Sequence, residues 1–196
     1  MILSRKFDEA FLYASDAHRG QFRKETSIPY MAHLLGAAAI ALDYGANEEE
    51  ATAALLHDVA EDAGGRARLD DVRQRFGDIV ASIVEGCTDT FETPKPDWRP
   101  RKEKYLAHIV EATPSVRLVS AADKLHNART ILRDFRRVGD ALWVRFKGGK
   151  DGTLWYYRAL SNAFMSVDRN ELSEELDRVV SKIEDLAGSE TSSIRK

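Results

Sequence analysis

Apolar positions recur at three- and four-residue steps along nearly the whole chain, which is the period of an α-helix buried on one face. Phe7, Ala10, Phe11, Ala14 and Ala17 predict a first helix ending near His18, and a polar stretch follows over 19–28. Pro29 stands where a helix can begin. Residues 30–44 are mostly Ala, Leu and Ile, apolar on most faces, which predicts a core helix ended by Gly45. Asn47 with Glu50 three residues later reads as a capping box. It opens a third helix that carries Ala51, Ala54, Leu55 and Val59, continues through Asp62, and stops at Gly64-Gly65. Shorter helices are expected over 69–76 and 79–87. A loop with three prolines follows over 92–100, then a helix over 101–112. Thr113-Pro114 supplies a cap and a first-turn proline for a long helix through Asp123 and Asn127 to about 137. Gly148-Gly149 mark another loop before two last helices, over 151–166 and 171–186. No stretch reads as a strand and no internal repeat is visible. The expectation is an all-α fold, one compact multi-helix domain over 1–187 with a flexible tail over 188–196.

Composition narrows the function class. At 196 residues, 43% of them apolar and 31% charged, the chain can bury a core and is not disordered. A net charge of −3 offers no global attraction to nucleic acid or to a membrane, and neither is expected as a partner. Arg5, Lys6, Asp8 and Glu9 interrupt any signal-like apolar run, and no stretch is long enough to span a bilayer. The lone Cys87 cannot form an internal disulfide, which suits a reducing cytoplasm, and with no histidine near it in sequence it reads as inert.

The candidate chemistry centres on His57-Asp58 and Glu61-Asp62. On a helix His57 and Glu61 lie one turn apart, as do Asp58 and Asp62. Three carboxylates at the C-terminal end of an apolar helix repel one another and oppose the helix dipole. A cation and an acid–base group would account for them. His33 sits on the apolar helix before, and Asp123 lies within Leu118-Val-Ser-Ala-Ala-Asp123-Lys-Leu125, where an unpartnered carboxylate is costly to bury. One divalent ion held by His33, His57, Asp58 and Asp123 offsets these costs together. Mixed imidazole and carboxylate donors suit Mn²⁺ best, with Fe, Co or Zn also fitting.

The order His33, His57-Asp58, Asp123 resembles the HD phosphohydrolases, and its flanks resemble the hydrolase domain of the RelA/SpoT family, including its stand-alone small alarmone hydrolases. The matching segments are His18-Arg-Gly-Gln21-Phe-Arg23-Lys24, Pro29-Tyr30-Met-Ala-His33, Ala54-Leu-Leu-His57-Asp58-Val-Ala-Glu61-Asp62 and Ala122-Asp123-Lys-Leu-His126-Asn127-Ala-Arg-Thr130. Trp155-Tyr156-Tyr157 extends the likeness, which covers roughly residues 5–165. The resemblance implies an HD-domain fold and metal-dependent hydrolysis of the 3′-diphosphate of (p)ppGpp to GDP or GTP and pyrophosphate. It implies Glu61 and Asp62 as the groups assisting the attacking water, Arg23 and Lys24 as the frame of the nucleotide near its base, and Asn127 as a ribose contact. Asn127 also lies one helical turn after Asp123, on the same side.

Three departures bear on substrate rather than metal. Leu34 stands where the family usually has proline, Ala63 where it has threonine, and residues 25–28 match poorly. Alternative readings are therefore a hydrolase of an adenosine alarmone or of the 2′-phosphate of NADPH, and a non-catalytic nucleotide sensor. Synthesis of the alarmone is not expected. Arg99, Arg101, Lys102 and Lys104 form a basic run that suits either a solvated helix start or a phosphate-binding lip. His18, His108 and His126 read as packing or capping residues, and Trp143, Phe146 and the Trp155 cluster as core.

Overall fold

The side chain of Ser4 accepts a hydrogen bond from the Lys6 amide and so starts α1 (Arg5–Ala17), whose inner face buries Ala10 and Ala14. The structure is a computed structural model; it describes the backbone of residues 2–193 and the side chains of all of these except 62 and 189–193. Residues 19–30 fold back on themselves through a single bridge between Phe22 and Pro29, with the Arg23 amide donating to the Ile28 carbonyl at 2.8 Å. Then α2 (Met31–Asp43) enters the core with His33, Leu34, Ala37, Ala38, Ile40 and Ala41 buried. Its alanines let neighbours approach closely, and Gly36 is the extreme case. A Cβ there would stand 2.2 Å from the His126 ring, so only glycine fits.

Asn47 and Glu50 form the expected capping box at the start of α3 (Glu48–Leu56), and residues 51–56 are all buried. The expected continuous helix through Asp62 is not found. The chain breaks at His57-Asp58 and resumes as the single turn α4 (Val59–Asp62), closed by Gly64 at φ 144°. The cause is local. His57 Nδ1 bonds the Ala54 carbonyl at 2.8 Å, and that carbonyl is the acceptor a continuing helix would offer to the Asp58 amide.

Two further helices, α5 (Gly65–Phe76) and α6 (Asp78–Cys87), meet at Gly77, and α5 starts earlier than the expected position 69. Likewise α7 (Trp98–Glu111) begins three residues before the expected position 101. Pro100 falls in its first turn, where a missing N–H breaks no helical bond. Thr113 caps α8 (Pro114–Val138) by accepting from the Val116 amide. After it comes a 3₁₀ segment, Gly139–Arg145, that periodicity did not indicate; Leu142 and Trp143 anchor it. The last helices are α9 (Gly149–Val167) and α10 (Glu171–Ser193), the latter running past the expected position 186.

The fold is all-α, and among the described residues that one bridge is the sole β pairing. The largest helix interfaces are α2 with α8, α8 with α10, α9 with α10 and α2 with α3. Leu34, Leu55, Leu56 and Leu125 are fully buried there, and each contributes about 1.5–3 kcal/mol by leaving water. The helices that carry or adjoin the proposed metal ligands, α2, α3 and α8, thus lie at large interfaces of the core. Among the described residues no helix is long and apolar enough to cross a membrane.

Candidate active site

Core packing brings His33 from α2, His57 and Asp58 from the break after α3, and Asp123 from α8 to one point. His33 Nε2 lies 3.4 Å from Asp58 Oδ2 and 3.1 Å from Asp123 Oδ1. His57 Nε2 lies 3.0 Å and 3.6 Å from the same two oxygens. His33, His57 and Asp123 are buried, and Asp58 is partly exposed. The potential ligand atoms of His33, His57 and Asp58 fall within 4.8 Å of one another. His57 Nε2 is buried and makes no hydrogen bond among the described residues, although the Asp58 oxygen is near. A buried lone pair aimed at carboxylate oxygens wants a cation between them. The donor set therefore fits a divalent ion, with two imidazole nitrogens and two carboxylate oxygens.

The electrostatics agree. Burial, the largest single influence on His57, disfavours its charge, but Asp58 and Asp123 together outweigh it and hold the imidazole well above its ordinary pKa. Burial likewise opposes ionisation of Asp58, and His57 and His33 overcome it, holding the carboxyl well below the usual range. Asp123 is also held well below that range, with Lys124, His33 and His57 acting against burial. Each group is thus stabilised by opposite charge at this point, and a metal ion would supply that charge more fully.

A second layer fixes these side chains. The His57 Nδ1 bond to the Ala54 carbonyl assigns the proton to Nδ1 and leaves Nε2 free to coordinate. His33 Nδ1 meets His126 Nδ1 at 2.9 Å. Burial, then His33 and Arg23, push the His126 pKa down to about 4, so this ring is neutral near pH 7. It can accept the Nδ1 proton of a His33 that coordinates through Nε2. Packing or capping is the role expected of His126, and this contact would also let it orient His33. It lies three residues after Asp123 and so shares that face of α8, a signal the sequence does contain. Tyr30 donates to Asp58 Oδ2 at 2.7 Å, and His18 stacks on Tyr30 with centroids 4.9 Å apart. Lys124 pairs with the other Asp123 oxygen, and Asn127 donates to Asp123 Oδ1 at 2.5 Å.

Two cavities of about 310 Å³ each adjoin the cluster and share Asn127, Arg145, Phe146 and Tyr157. The first is also lined by Arg23, Lys24, Tyr30 and His33. Arg23 lies 5.6 Å over the Tyr30 ring and donates to Asn127 Oδ1 at 2.5 Å, and Lys24 reaches the Arg145 carbonyl. The second cavity gathers Arg101, Lys102, Lys124, Arg145 and Lys147. The basic run therefore divides: Arg101 and Lys102 turn inward and both pair with Asp89, whereas Arg99 lies 3.3 Å over the Trp155 ring. The Tyr156 hydroxyl in that cavity is buried and has no hydrogen-bond partner among the described residues.

Glu61 stands on α4 beside this region, accepting from the Asp89 amide at 3.0 Å and from Lys95 at 2.7 Å. Asp62 is the last residue of that turn, and its side chain lies outside the described residues. Trp143 is core, as expected, while Phe146, Trp155 and Tyr157 are half-buried, with Phe146 and Tyr157 on the cavity walls. His108 bonds the Gly86 carbonyl at 2.9 Å and takes no part. Burial raises the Cys87 pKa, which agrees with an inert thiol.

Comparison with known proteins places this arrangement. The family described as HD domain matches residues 10–154. The chain is 36% identical over 138 residues to the guanosine-3′,5′-bis(diphosphate) 3′-pyrophosphohydrolase MESH1 of Xenopus tropicalis, covering 69% of this chain and 72% of that one. It is 35% identical over 133 residues to the bifunctional (p)ppGpp synthase/hydrolase SpoT of Escherichia coli, covering 65% of this chain but 18% of that one. The solved structure of a metazoan ortholog of SpoT that hydrolyses ppGpp superposes with a TM-score of 0.76 at 27% identity, over 93% of this chain and 97% of the other. That of lmo0812 from Listeria monocytogenes superposes at 0.66, with 27% identity, over 80% and 99%. The chain belongs to the HD-domain family and is a homologue of the SpoT and MESH1 hydrolases.

Proposed function

We propose that this protein hydrolyses the 3′-diphosphate of a guanosine alarmone, (p)ppGpp, to GDP or GTP and pyrophosphate. One observation carries the reading. Four metal-type side chains meet between a cavity large enough for part of a nucleoside and a second cavity lined with cations. The printed activities of the MESH1 and SpoT relatives support it.

His33, His57, Asp58 and Asp123 would hold one divalent ion, with Mn²⁺ the best match to the donor set. When bound, such an ion supplies Lewis acidity toward a phosphoryl oxygen and lowers the pKa of water. Arg23 and Lys24 frame the nucleoside, and Asn127, fixed between Arg23 and Asp123, contacts the ribose. Arg101 and Lys102 neutralise the departing diphosphate. Glu61, with Asp62, orients the attacking water and takes its proton. The water oxygen bonds to the 3′-phosphorus, the bond from phosphorus to the ribose 3′ oxygen breaks, and that oxygen takes up one proton to leave as the 3′ hydroxyl, balancing the one the water gives to Glu61. The deciding experiment follows pyrophosphate and phosphate release by the Mn²⁺-loaded protein from ppGpp, its adenosine counterpart and NADPH. We expect ppGpp to have the highest kcat/KM. Phosphate release from NADPH with no pyrophosphate from ppGpp would refute the reading. A small nucleotide substrate and a cytoplasmic site of action go with this proposal, as does a single catalytic domain over 1–187.

A further inference from the structure

A buried carboxylate lines the first cavity, and neither the metal cluster nor the proposed hydrolysis uses it. Asp134 is 5% exposed and lines the cavity. Its Oδ2 accepts from Arg145 at 3.1 Å and its Oδ1 from Arg133 at 3.1 Å. Arg145 is mostly buried, whereas the Arg133 side chain is 59% exposed, so a ligand can displace Arg133 from Oδ1 at little cost. A buried ion pair is a weak stabiliser, because desolvation offsets most of the attraction. An acid and a base facing a cavity together are therefore better explained by what enters it.

The position along α8 identifies the occupant. Asp123, Asn127, Thr130 or Ile131, and Asp134 follow one another at helical spacing, and those from Asn127 onward line the cavity. Eleven residues from Asp123 to Asp134 span about 16 Å at the helical rise. That length takes a metal-bound phosphate, a ribose and a base in series, with the outer edge of the base at Asp134. A guanine edge offers donors at N1 and the 2-amino group beside an acceptor at O6, and an adenine edge offers a donor at N6 beside an acceptor at N1. With the guanidinium at the C6 substituent and the carboxylate at N1, the pair complements the first and opposes the second, since the adenine 6-amino group would face the guanidinium and its N1 lone pair a carboxylate oxygen.

We propose that Asp134, seated by Arg145, reads the Watson–Crick edge of the base and selects guanine over adenine. Asp134 Oδ1 accepts from the base N1–H and 2-amino group, and Arg145 donates to O6. The assignment rests on the first cavity being the nucleoside site of the proposed hydrolase. It makes Asp134 a specificity residue, distinct from Arg23 and Lys24.

The test measures binding rather than turnover. Titration calorimetry with the Mn²⁺-loaded protein compares GDP, IDP and ADP. GDP is expected to bind about tenfold or more tightly than ADP, as a site built to hydrogen-bond a ligand rejects one that cannot pair. IDP, which lacks the 2-amino group, falls between them. In Asp134→Asn, whose amide presents either an acceptor or a donor, the GDP:ADP ratio collapses to about threefold or less. Asp134→Leu, with circular dichroism checking its fold, gives the same collapse without the amide. Equal weakening of GDP and ADP with the ratio preserved would assign Asp134 to fastening the 3₁₀ segment and overturn the proposal. A wild-type protein that binds none of the three, or binds them equally, overturns it too. If GDP preference and its loss are found but ppGpp releases no pyrophosphate, the hydrolase reading falls and the base-reading assignment stands.

Discussion

The metal cluster and the rim around it are built in opposite ways. His33, His57 and Asp123 are 5% exposed or less and stand on, or directly after, helices that bury leucine and alanine in the core. Backbone packing decides where they stand. Arg23, Lys24, Glu61, Lys95 and Lys102 lie on loops, a one-turn helix and a helix start, and polar side-chain contacts hold them: Arg23 by Asn127, Glu61 by Lys95, Lys102 by Asp89. A core position fixes one geometry and tolerates little loss. A rim position held by mutual ion pairs can rearrange when a polyanion replaces a partner. In the proposed hydrolase, chemistry that needs fixed distances would sit in the first region, and binding that accommodates substrate in the second.

The largest effect is expected where the core fixes the geometry. His57→Ala removes a ligand that no neighbouring group can replace. Bound metal should be lost, and kcat/KM for ppGpp should fall by about 10³ or more, the equivalent of several kcal/mol of transition-state stabilisation. Metal analysis alongside single-turnover kinetics checks both. Retained metal with normal turnover would erase the distinction between cluster and rim. Removing the metal from the wild-type protein with a chelator should produce the same loss, and Mn²⁺ should reverse it.

Glu61 tests the boundary between the two regions. Glu61→Gln keeps an acceptor for the Asp89 amide but removes the proton acceptor. We expect kcat to fall by about 10², a typical general acid–base contribution, with metal content unchanged. A loss of metal would move Glu61 into the cluster. Normal kcat would reduce it to a partner of Lys95.

How much of this was legible follows the same division. The proposed metal ligands are legible as candidates because burying His33 and Asp123 in apolar helices is costly without a partner, and because four motifs occur in one order; the fold brings their side chains to one point. The break at His57-Asp58 was not, since the apolar periodicity runs on through Val59 and the competing bond from the His57 ring leaves no trace in composition. Pro100 was read as loop because a first-turn proline and a loop proline look alike until the helix start is known. The rim depends on long-range pairing: Arg23 with Asn127 is separated by 104 residues, and Lys95 with Glu61 by 34. Asp134 carried no signal at all, because its meaning comes from a cavity wall shared with the 3₁₀ segment. Arg101 and Lys102 were seen as a basic run, and only the fold points them inward.

Between core and rim lies His126, partly exposed, packed on Gly36 and bonded to the proposed ligand His33. His126→Ala should weaken Mn²⁺ binding by about 10–100-fold, the usual cost of losing the partner that orients a metal-bound histidine. His126→Asn, whose side-chain oxygen can accept the His33 Nδ1 proton, should recover part of that. A metal titration followed by calorimetry gives both values. Equal affinity in wild type and His126→Ala would leave His126 as packing alone. The reciprocal change, Gly36→Ala, pushes the His126 ring away and should mimic His126→Ala in metal affinity.

The smallest effect expected belongs to the rim and is visible only against pH. Lys102 sits in the cationic cavity, 2.8 Å from an Asp89 oxygen that it shares with Arg101 and 4.8 Å from the Tyr156 ring centroid. Burial, followed by Lys124 and Arg101, pushes its pKa down to about 7. The free protein therefore carries a partly neutral amine at pH 7 and a neutral one at pH 9. A bound pyrophosphate stabilises the ammonium and raises that pKa, so binding takes up a proton across the window between the two values. The sign follows from linkage: below pH 7 the amine is already charged and contributes no pH dependence, while above pH 7 affinity falls as protons become scarce. The limit for one proton is tenfold per pH unit, or 1.36 kcal/mol. Lys102→Arg replaces the amine with a group charged throughout this range, so its affinity should lack that slope. Measuring pyrophosphate affinity from pH 6 to 9 for both proteins and taking the difference removes the titration of pyrophosphate itself. Parallel curves would mean that Lys102 stays charged in the free protein, held by Asp89 against its burial, and the rim would then be as rigid electrostatically as the core is sterically.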